Sequence, residues 1–394
     1  MTQAYLVGGV RTPIGRYGGA LAGVRPDDLA ALVVRDAVRR AGIPDDGIDE
    51  VLLGAANQAG EDNRNVARLA TLLAGLPDTV PGMTVNRLCA SGMSAVALAG
   101  QAIRAGDADA VVAGGVESMT RAPWVQAKPE RAWAKPGAAF DTSIGWRFTN
   151  PRLAAREKAT FSMPETAEEV ARLDGITRED ADAFALRSHR RAIAAIDAGR
   201  FADEIVAVPT PRGTVDTDEG PRRDTTAEAL AALRPVVEGG SVVTAGNASS
   251  LNDGASAILV AGSEAIERHG LRPRARIVAS ASAALAPEIM GLGPVPATEK
   301  ALAKAGLTVA DLGAVELNEA FASQSLASMR RLGIDPEIVN ADGGAIALGH
   351  PLGASGCRIL VTLLGRMERE GARYGLATMC VGVGQGTAMI LERV

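Results

Sequence analysis

Short apolar strands and helices alternate along most of this sequence, and that alternation restricts the possible folds more than any other feature. Residues 4–8 and 50–54 are short apolar runs typical of buried strands, and residues 27–41 carry apolar side chains at helical spacing. Repetition of this kind predicts a parallel or mixed sheet covered by helices, and therefore an α/β fold. The 45 glycines and 3% aromatic residues favour the same class, because small side chains allow close packing and tight turns.

The alternation continues up to about residue 115 and returns after about residue 270. In the first part we predict helices over 65–76 and 91–105, and a strand over 109–113 closed by Gly114 and Gly115. In the second part the predicted helices are 298–305, 321–332 and 353–371, and the predicted strands are 313–317 and 374–379.

The two patterned parts resemble each other. In the first part a strand opens at Ile48, and Cys89 follows 41 residues later; in the second a strand opens at Leu312, and His350 follows 38 residues later. Each of these two reactive residues precedes a helix rich in glycine, alanine and serine. We interpret this as a divergent two-fold repeat, which places Cys89 and His350 at corresponding helix N-termini near the junction of the halves.

The region from about 120 to 240 interrupts the pattern. It contains many prolines, all three tryptophans and a pair of amphipathic helices over 166–173 and 178–199. Long insertions of this kind usually carry binding function. We therefore predict an N-terminal half formed by residues 1–119 and 244–270, an inserted loop domain over 120–243, and a C-terminal half over 271–394.

Charge and hydropathy exclude several classes of protein. Lys and Arg number 41 against 46 Asp and Glu, a balance that argues against nucleic-acid binding. No apolar run reaches about 18 residues, so no membrane span is expected. The first residues lack a signal-peptide pattern, and the three cysteines cannot all pair, so we expect a cytoplasmic protein with reduced thiols.

Cys89 is the first candidate for catalysis. It lies in residues 86–92, at a predicted strand-to-helix turn, where free backbone N–H groups and the helix dipole favour the nucleophilic thiolate. The alternative is a structural cysteine, because free cysteines are commonly buried in protein cores.

His350 is the second candidate. It lies in the glycine-rich segment 343–356, where the backbone can approach a ligand closely. A cysteine and a histidine from different parts of a chain are the usual pair in thiol nucleophilic catalysis. The other histidines, His189 on the polar face of a predicted helix and His269 at an exposed helix end, are expected to have no catalytic role.

Two further segments place reactive or polar groups after predicted strands. Cys380 precedes a glycine run that matches neither the dinucleotide nor the P-loop pattern, and we interpret this run as a pocket of backbone donors for an oxyanion. Asn318 can hold a water or a carbonyl, or else cap the helix that follows. Cys357 is interpreted as structural, and no cluster has metal-ligand spacing, so no metal is expected.

Taken together, these motifs resemble the thiolase family from one end of the chain to the other. The matching segments are residues 11–15, 86–92, 115–119, 244–249, 318–321, 349–351 and 380–382. The resemblance implies a thiolase-like layered α-β-α-β-α architecture built from two similar halves with an inserted loop domain. It also implies CoA-dependent acyl transfer, with coenzyme A as co-substrate, acyl-CoA as substrate and no permanently bound cofactor.

The resemblance implies a role for each catalytic residue. Cys89 would attack the acyl-CoA carbonyl and carry the acyl group, and His350 would accept the thiol proton. Cys380 would exchange a proton with the α-carbon of the second acyl group. His350 and a water held by Asn318 would form one oxyanion hole, and the backbone N–H groups of Cys89 and Gly382 would form the other.

The same resemblance places the CoA-binding residues. Ser249, next to Ala248, would contact the pantetheine arm of CoA, and Met163 and Phe321 would line its tunnel. Arg147 lies in the inserted region and is our candidate for pairing with a carboxylate at the far end of the acyl group, because guanidinium suits carboxylate geometry. A surface salt bridge or a contact with a CoA phosphate is the alternative role for Arg147.

Residues 61–65, 141–147 and 380–386 are most similar to family members that cleave 3-oxoadipyl-CoA to succinyl-CoA and acetyl-CoA. Two departures from other members are Ala90, where many have glycine, and residues 162–168, which lack the His-Met-Gly of many biosynthetic members. An acetoacetyl-CoA thiolase is one alternative, and a related condensing enzyme or a non-catalytic acyl-CoA-binding protein are others. The resemblance further implies a homotetramer, a dimer of dimers.

Overall fold

A computed structural model describes residues 2–394, which form an α/β fold built on one large mixed sheet. The strands are β1 (Ala4–Arg11), β2 (Gly15–Arg16), β3 (Glu50–Gly54), β4 (Gly82–Val85), β5 (Ala110–Ser118), β6 (Trp124–Gln126), β7 (Ala139–Asp141), β8 (Val208–Thr210), β9 (Gly213–Val215), β10 (Asn252–Gly262), β11 (Pro273–Ala284), β12 (Leu312–Leu317), β13 (Tyr374–Val381) and β14 (Gln385–Arg393). The helices are α1 (Pro26–Ala41), α2 (Val66–Leu73), α3 (Ser91–Ala105), α4 (Pro151–Ala154), α5 (Met163–Asp174), α6 (Arg178–Asp197), α7 (Ala227–Ala231), α8 (Ser263–His269), α9 (Pro294–Ala305), α10 (Ala322–Leu332), α11 (Ala345–Leu348) and α12 (Leu352–Glu370).

The pairing of the strands repeats between the two halves. The order across the sheet is β12-β13-β14-β11-β1-β10-β5-β3-β4. In the first half β1 pairs antiparallel with β10, β10 antiparallel with β5, and β5 parallel with β3. In the second half β11, β14, β13 and β12 pair with the same directions in the same sequence. The two similar halves are therefore confirmed, and antiparallel pairing of β1 with β11 joins them.

The helices and strands form five layers in the order α-β-α-β-α, as shown by the cores into which successive side chains of each strand point. Val51 and Leu53 of β3 pack in the core beneath α1 and α2, whereas Leu52 between them packs in the core around α3 and α12. In the second half Ala377 of β13 faces the α3–α12 core, and the neighbouring Leu376 packs in the core that includes α9 and α10. Helices α3 and α12 thus form the central layer, which is the architecture the resemblance implied.

Several predicted boundaries were wrong. The strand predicted over 109–113 continues to Ser118, so Gly114 and Gly115 lie inside β5 and do not close it. A Cβ atom at Gly115 would lie 2.0 Å from the carbonyl oxygen of Gly353, so this strand needs glycine where α12 crosses it. The helix predicted over 65–76 is shorter, because Asn65 caps it from a left-handed conformation and it ends at Leu73.

Strands β10, β11 and β14 were not identified from the sequence. Strand β10 is buried along its whole length and has no two-residue alternation, and its alanines, serine and glycines leave only a short apolar run at 258–260. Strand β11 alternates buried and half-buried positions, but many of its side chains are small alanines and serines. The pattern of polarity on which strand prediction depends is therefore weak in both.

The inserted region is attached to the core by buried charges. Arg11 of β1 is 1% exposed, and its guanidinium donates to both carboxylate oxygens of Asp218 at 2.7 and 2.9 Å and to Glu204. These bonds tie residues more than 190 positions away in sequence to the first strand. Among residues 2–394, no helix combines the length and apolar character needed to cross a bilayer.

Candidate active site

Cys89 lies in a tightly bonded turn that leads into α3. The Ser91 hydroxyl donates to the Leu88 carbonyl at 2.6 Å and accepts from the Arg87 N–H at 2.9 Å, and the Asn86 side chain accepts from the Leu88 N–H. Leu88 adopts a φ of 47°, which brings the turn back on itself immediately before Cys89. Ala90 has an ordinary φ and is fully buried, so its methyl group fits where many family members have glycine.

The protonation state of Cys89 differs from the sequence-based expectation. Burial of the sulfur raises the pKa of the thiol to about 11, although backbone N–H groups of Gly382 and of Cys89 itself donate to the sulfur and lower the pKa. A nearby carboxylate, Glu117, raises it further. The prediction that the helix N-terminus favours a thiolate was wrong for this state of the protein, because loss of solvation outweighs the local N–H groups.

Cys380 and Gly382, from the second half of the chain, lie close to the Cys89 sulfur. Cys380 is fully buried inside β13, which continues to Val381, so the predicted end of this strand at Met379 was too early. Burial, followed by the charge of Cys89, raises the pKa of Cys380 far above that of an ordinary thiol. The two thiols are therefore close enough to influence each other, and Gly382, in the turn between β13 and β14, donates its N–H to the Cys89 sulfur.

His350 is fixed at the start of α12 by three hydrogen bonds. Its backbone N–H donates to Asn252 at 2.9 Å, its Nδ1 lies 2.7 Å from the Ser355 hydroxyl, and its Nε2 lies 3.4 Å from the Asn318 amide nitrogen. Burial, with a smaller effect of the Arg358 charge, lowers the pKa of His350 to about 3. The imidazole is therefore neutral at physiological pH and able to accept a proton.

Contact between α3 and α12 brings the two halves of the site together. Gly92, three residues after Cys89, and Gly353, three residues after His350, touch through their backbones. A Cβ atom at Gly92 would lie 2.7 Å from the Gly353 carbonyl oxygen. The repeat in the sequence therefore corresponds to two helix N-termini that meet in the structure.

Asn318 does not cap the following helix. Helix α10 begins at Ala322 with Phe321 at the N-cap position, so the capping role considered from the sequence was wrong. Asn318 is fully buried beside His350, and its Oδ1 has no hydrogen-bond partner among residues 2–394. A buried acceptor of this kind requires a water or a ligand group, which agrees with the expectation that Asn318 holds a water.

Three of the predicted CoA-binding residues pack around Cys380. Phe321, Met163 and Ala248 belong to the small apolar cluster that contains Cys380. Ser249, beside Ala248, donates its backbone N–H to the Ala320 carbonyl at 3.0 Å, and its side chain is half-buried. The structure thus lines one side of the thiol pair with the residues that the sequence assigned to the CoA tunnel.

A cavity of about 500 Å³ lies next to this cluster. Its lining includes Ala248, Leu233 and three basic residues, Arg16, His189 and Arg222. Arg16 and Arg222 were not among the predicted site residues, because nothing in their local sequence indicates that the fold brings them to the same cavity as Ala248. His189 was placed on a polar helix face, but it is buried, accepts from the Arg222 N–H at 3.2 Å, and has its pKa lowered to about 4 by burial and by the two arginines.

Arg147 is half-buried and hydrogen-bonds the Asn57 carbonyl oxygen, Oδ1, at 2.7 Å. The Asn57 backbone N–H in turn donates to Glu117, the carboxylate that raises the pKa of Cys89. Two other cations of the inserted region are already paired, Arg121 with Glu61 and Lys158 with Glu169. Among residues 2–394, Arg147 forms no ion pair, so its charge is available to a ligand.

The fold and the site define an enzyme that transfers acyl groups: two neighbouring thiols, a neutral imidazole and backbone donors meet where two repeated halves join. Residues 4–264 match the family model described as Thiolase, N-terminal domain, and residues 271–393 match Thiolase, C-terminal domain. The chain belongs to the thiolase family and is an acyltransferase.

Curated relatives and solved structures agree with this assignment over the full length. The chain is 55% identical to the β-ketoadipyl-CoA thiolase of Pseudomonas aeruginosa, covering 100% of this chain and 99% of the relative. It is 54% identical to the β-ketoadipyl-CoA thiolase of Escherichia coli, with 100% of both chains covered. The structure of human mitochondrial 3-ketoacyl-CoA thiolase in complex with CoA is 38% identical, with a TM-score of 0.94 over 100% of this chain and 98% of the other.

Proposed function

We propose that this protein cleaves 3-oxoadipyl-CoA with CoA to give succinyl-CoA and acetyl-CoA, through an acyl group carried on Cys89. The observation that carries the proposal is the placement of Cys89 beside both Cys380 and the Gly382 N–H, with neutral His350 at the adjoining helix terminus. The relatives named β-ketoadipyl-CoA thiolase and the unpaired charge of Arg147 support the choice of substrate.

In the first half of the proposed reaction, Cys89 gives its proton to His350 and attacks the 3-oxo carbonyl. The backbone N–H groups of Cys89 and Gly382 stabilise the resulting oxyanion. Cleavage of the bond between C2 and C3 leaves the acyl group on Cys89 and releases the enolate of acetyl-CoA, which Cys380 protonates. His350 and a water on Asn318 stabilise the thioester oxygen of that enolate.

Before the second half, the proton that His350 took from Cys89 passes to the Cys380 thiolate, so both groups are neutral again. The thiol of CoA then attacks the acyl group on Cys89, and His350 accepts the thiol proton and gives it to the departing Cys89 sulfur. The binding residues proposed for CoA are Ser249 and Ala248 beside the pantetheine arm, and Met163 and Phe321 along the tunnel. The cavity lined by Arg16 and Arg222 is the place we assign to the phosphate-bearing end of CoA, because its cations complement phosphate charge.

One assay tests the proposed function. The Mg²⁺–enolate absorbance of 3-oxoadipyl-CoA and of acetoacetyl-CoA is followed side by side after addition of CoA. We expect CoA-dependent loss of absorbance with both, and a higher kcat/KM with 3-oxoadipyl-CoA. Preference for acetoacetyl-CoA would favour the alternative, an acetoacetyl-CoA thiolase, and no turnover of either would favour a non-catalytic acyl-CoA-binding protein.

The pH dependence of the first half-reaction follows from the two shifted pKa values. His350 gains a proton as the pH falls towards about 3, and Cys89 loses one as the pH rises towards about 11. Between these values both groups are neutral, and the proton moves from thiol to imidazole during the attack. We therefore expect a constant rate of acylation per active site from about pH 5 to about pH 9, measured by rapid quenching. An inflection near the ordinary pKa of histidine would contradict this.

Arg147 provides a test of substrate choice. Arg147→Ala is expected to lower kcat/KM for 3-oxoadipyl-CoA by about 1.5–3 kcal/mol, because a hydrogen-bonded charge partner of the terminal carboxylate is lost. Acetoacetyl-CoA has no terminal carboxylate, so its kcat/KM is expected to change much less. Arg152→Ala, which removes an exposed arginine from the same region, is the matched control. Equal losses on both substrates would place Arg147 in folding or CoA binding.

The proposed assembly is a homotetramer, a dimer of dimers. Strand β4 is one of the two edge strands of the sheet, with exposed Met83 on it and exposed Leu72 and Leu73 on the adjacent helix α2. The β6–β7 hairpin exposes a second set of large apolar side chains, Trp124 and Trp133 among them. An open strand edge and exposed apolar patches are typical of contacts between subunits.

Light scattering tests this assembly at micromolar protein. We expect a mass four times that of the chain, and a dimer for either Met83→Glu or Trp124→Glu, because each variant leaves the other contact intact. Val236→Glu, which places the same charge at an equally exposed apolar position elsewhere, is expected to remain a tetramer. A monomeric mass for the unaltered protein would contradict the proposal.

We further propose a cytoplasmic location for this protein. The three cysteines are free thiols in the structure, which a reducing compartment preserves, and this supports a cytoplasmic location.

We also propose that the chain divides into an N-terminal half of residues 1–119 with 244–270, a loop domain of residues 120–243, and a C-terminal half of residues 271–394. The support for this division is the repeated strand pairing on either side of the inserted region.

A further inference from the structure

The ring of His350 has a different neighbour at each nitrogen. Nδ1 lies 2.7 Å from the Ser355 Oγ, and Nε2 lies 3.4 Å from the Asn318 Nδ2. Ser355 is fully buried in the first turn of α12, five residues after His350. A neutral imidazole carries one proton, so these neighbours decide which nitrogen can accept another.

The Ser355 hydroxyl has a second partner that fixes its direction. Its Oγ lies 2.9 Å from the carbonyl oxygen of Pro351, four residues earlier, which is the usual acceptor for a serine in a helix. A hydroxyl that donates to Pro351 offers only lone pairs to His350, so Nδ1 must carry the imidazole proton. The position of the Asn318 amide is consistent with a proton on Nδ1, because its Nδ2 donates towards Nε2 and therefore requires a lone pair on Nε2.

We propose that Ser355 is a positioning residue. It holds the His350 proton on Nδ1, so that Nε2 stays unprotonated and can act as the base for Cys89. This inference rests on the proposed role of His350. When Nε2 takes the thiol proton, the Ser355 oxygen still accepts from Nδ1–H, so the bond that orients the ring is kept and only the long 3.4 Å contact from the Asn318 Nδ2 is given up. A hydroxyl in this place, unlike a carboxylate, orients the ring without stabilising its charged form beforehand.

The charges around His350 are compatible with this role. Arg358 on the same helix disfavours the imidazolium. The Cys89 and Cys380 thiols are neutral, and Glu117 accepts from the Gly353 N–H at 2.9 Å at the start of α12. Among residues 2–394, no carboxylate forms an ion pair with His350, so the position of its proton depends on the two neutral neighbours.

The experiment measures formation of the acetyl-enzyme from acetyl-CoA by acid quenching and mass spectrometry between pH 6 and pH 9. In Ser355→Ala, Nδ1–H loses its acceptor and the proton moves to Nε2, so base catalysis is lost. We expect acylation to be roughly 10- to 100-fold slower at neutral pH. The rate is also expected to rise with pH, because the thiol then ionises before attack, whereas the rate of the unaltered protein stays constant.

Two further variants separate positioning from packing. Ser355→Thr retains the hydroxyl and is expected to restore a rate that does not depend on pH. Ser256→Ala removes another fully buried hydroxyl, one that donates to the neighbouring Ala354 carbonyl at 2.8 Å without contacting His350. It is expected to retain the constant rate, even if the Tm falls.

The results distinguish this inference from the function on which it rests. If His350→Ala gives a rate that rises with pH but Ser355→Ala keeps a constant one, Ser355 has no positioning role and the inference is wrong. The same conclusion follows if Ser256→Ala and Ser355→Ala behave alike. If His350→Ala itself leaves the rate and its pH profile unchanged, the assignment of His350 as the base fails instead.

Discussion

Cys89→Ser is expected to reduce turnover by roughly 10³-fold or more while leaving the fold nearly intact. A serine hydroxyl is a much weaker acid than a thiol, so the proton transfer to His350 that generates the nucleophile becomes far less favourable. The change in volume is small, and the hydrogen bonds of the turn around Ser91 do not involve the sulfur. Steady-state assays and thermal unfolding measure the two effects separately.

The acyl-enzyme provides direct evidence on the same residue. After incubation with acyl-CoA and quenching at low pH, mass spectrometry of peptides should show the acyl group on the Cys89 peptide. Cys357→Ser is the matched control, because Cys357 is buried between α12 and β5 and contacts the Ala113 carbonyl. That variant should retain both turnover and the adduct. An adduct confined to Cys357 or Cys380 would overturn the assignment of the nucleophile.

Cys380→Ser is expected to separate the two halves of the chemistry. The variant should still take an acyl group onto Cys89, because the Gly382 N–H and His350 are unchanged. It should lose roughly 10²- to 10⁴-fold in carbon–carbon bond cleavage, because a serine hydroxyl is too weak an acid to protonate the enolate. For the same reason it does not ionise at neutral pH to supply the base for the reverse step. Acetyl-enzyme formation and cleavage of 3-oxoadipyl-CoA, measured on the same preparation, give the two rates.

His350→Ala is the comparison for this variant, because it should slow acylation itself. The pair of variants therefore places the two proton carriers at different steps. Normal turnover by Cys380→Ser would show that the second thiol has only a structural role.

The fold could be predicted where a short apolar run, or a helical run ended by a glycine, has clear limits. Helix α3 was predicted at its observed bounds, 91–105, and β3 was predicted over its full length. Strands β10 and β11 carry mostly alanine, serine and glycine over much of their length, and their strand conformation depends on long-range pairing with neighbouring strands. Such pairing is set by contacts far away in sequence and leaves little local signal.

At the site, the sequence indicated which residues take part, but not how burial and neighbouring charges change their pKa values. Cys89 and His350 were selected because their local segments are unusual. The pKa of Cys89 was predicted in the wrong direction, because its solvation depends on side chains from both halves of the molecule. Arg222 was missed for the same reason, since only the folded chain places it beside Ala248.

The junction of α3 and α12 has a consequence for how this protein can be altered. A Cβ atom at Gly356 would lie 2.3 Å from the Met93 nitrogen, and one at Gly92 would lie 3.0 Å from the Cys357 nitrogen. The two helix N-termini are thus in direct backbone contact, and no side chain lies between them whose size could change their separation. New acyl specificities should therefore be sought by varying the inserted region, while the glycine junction keeps the reacting groups at a constant spacing.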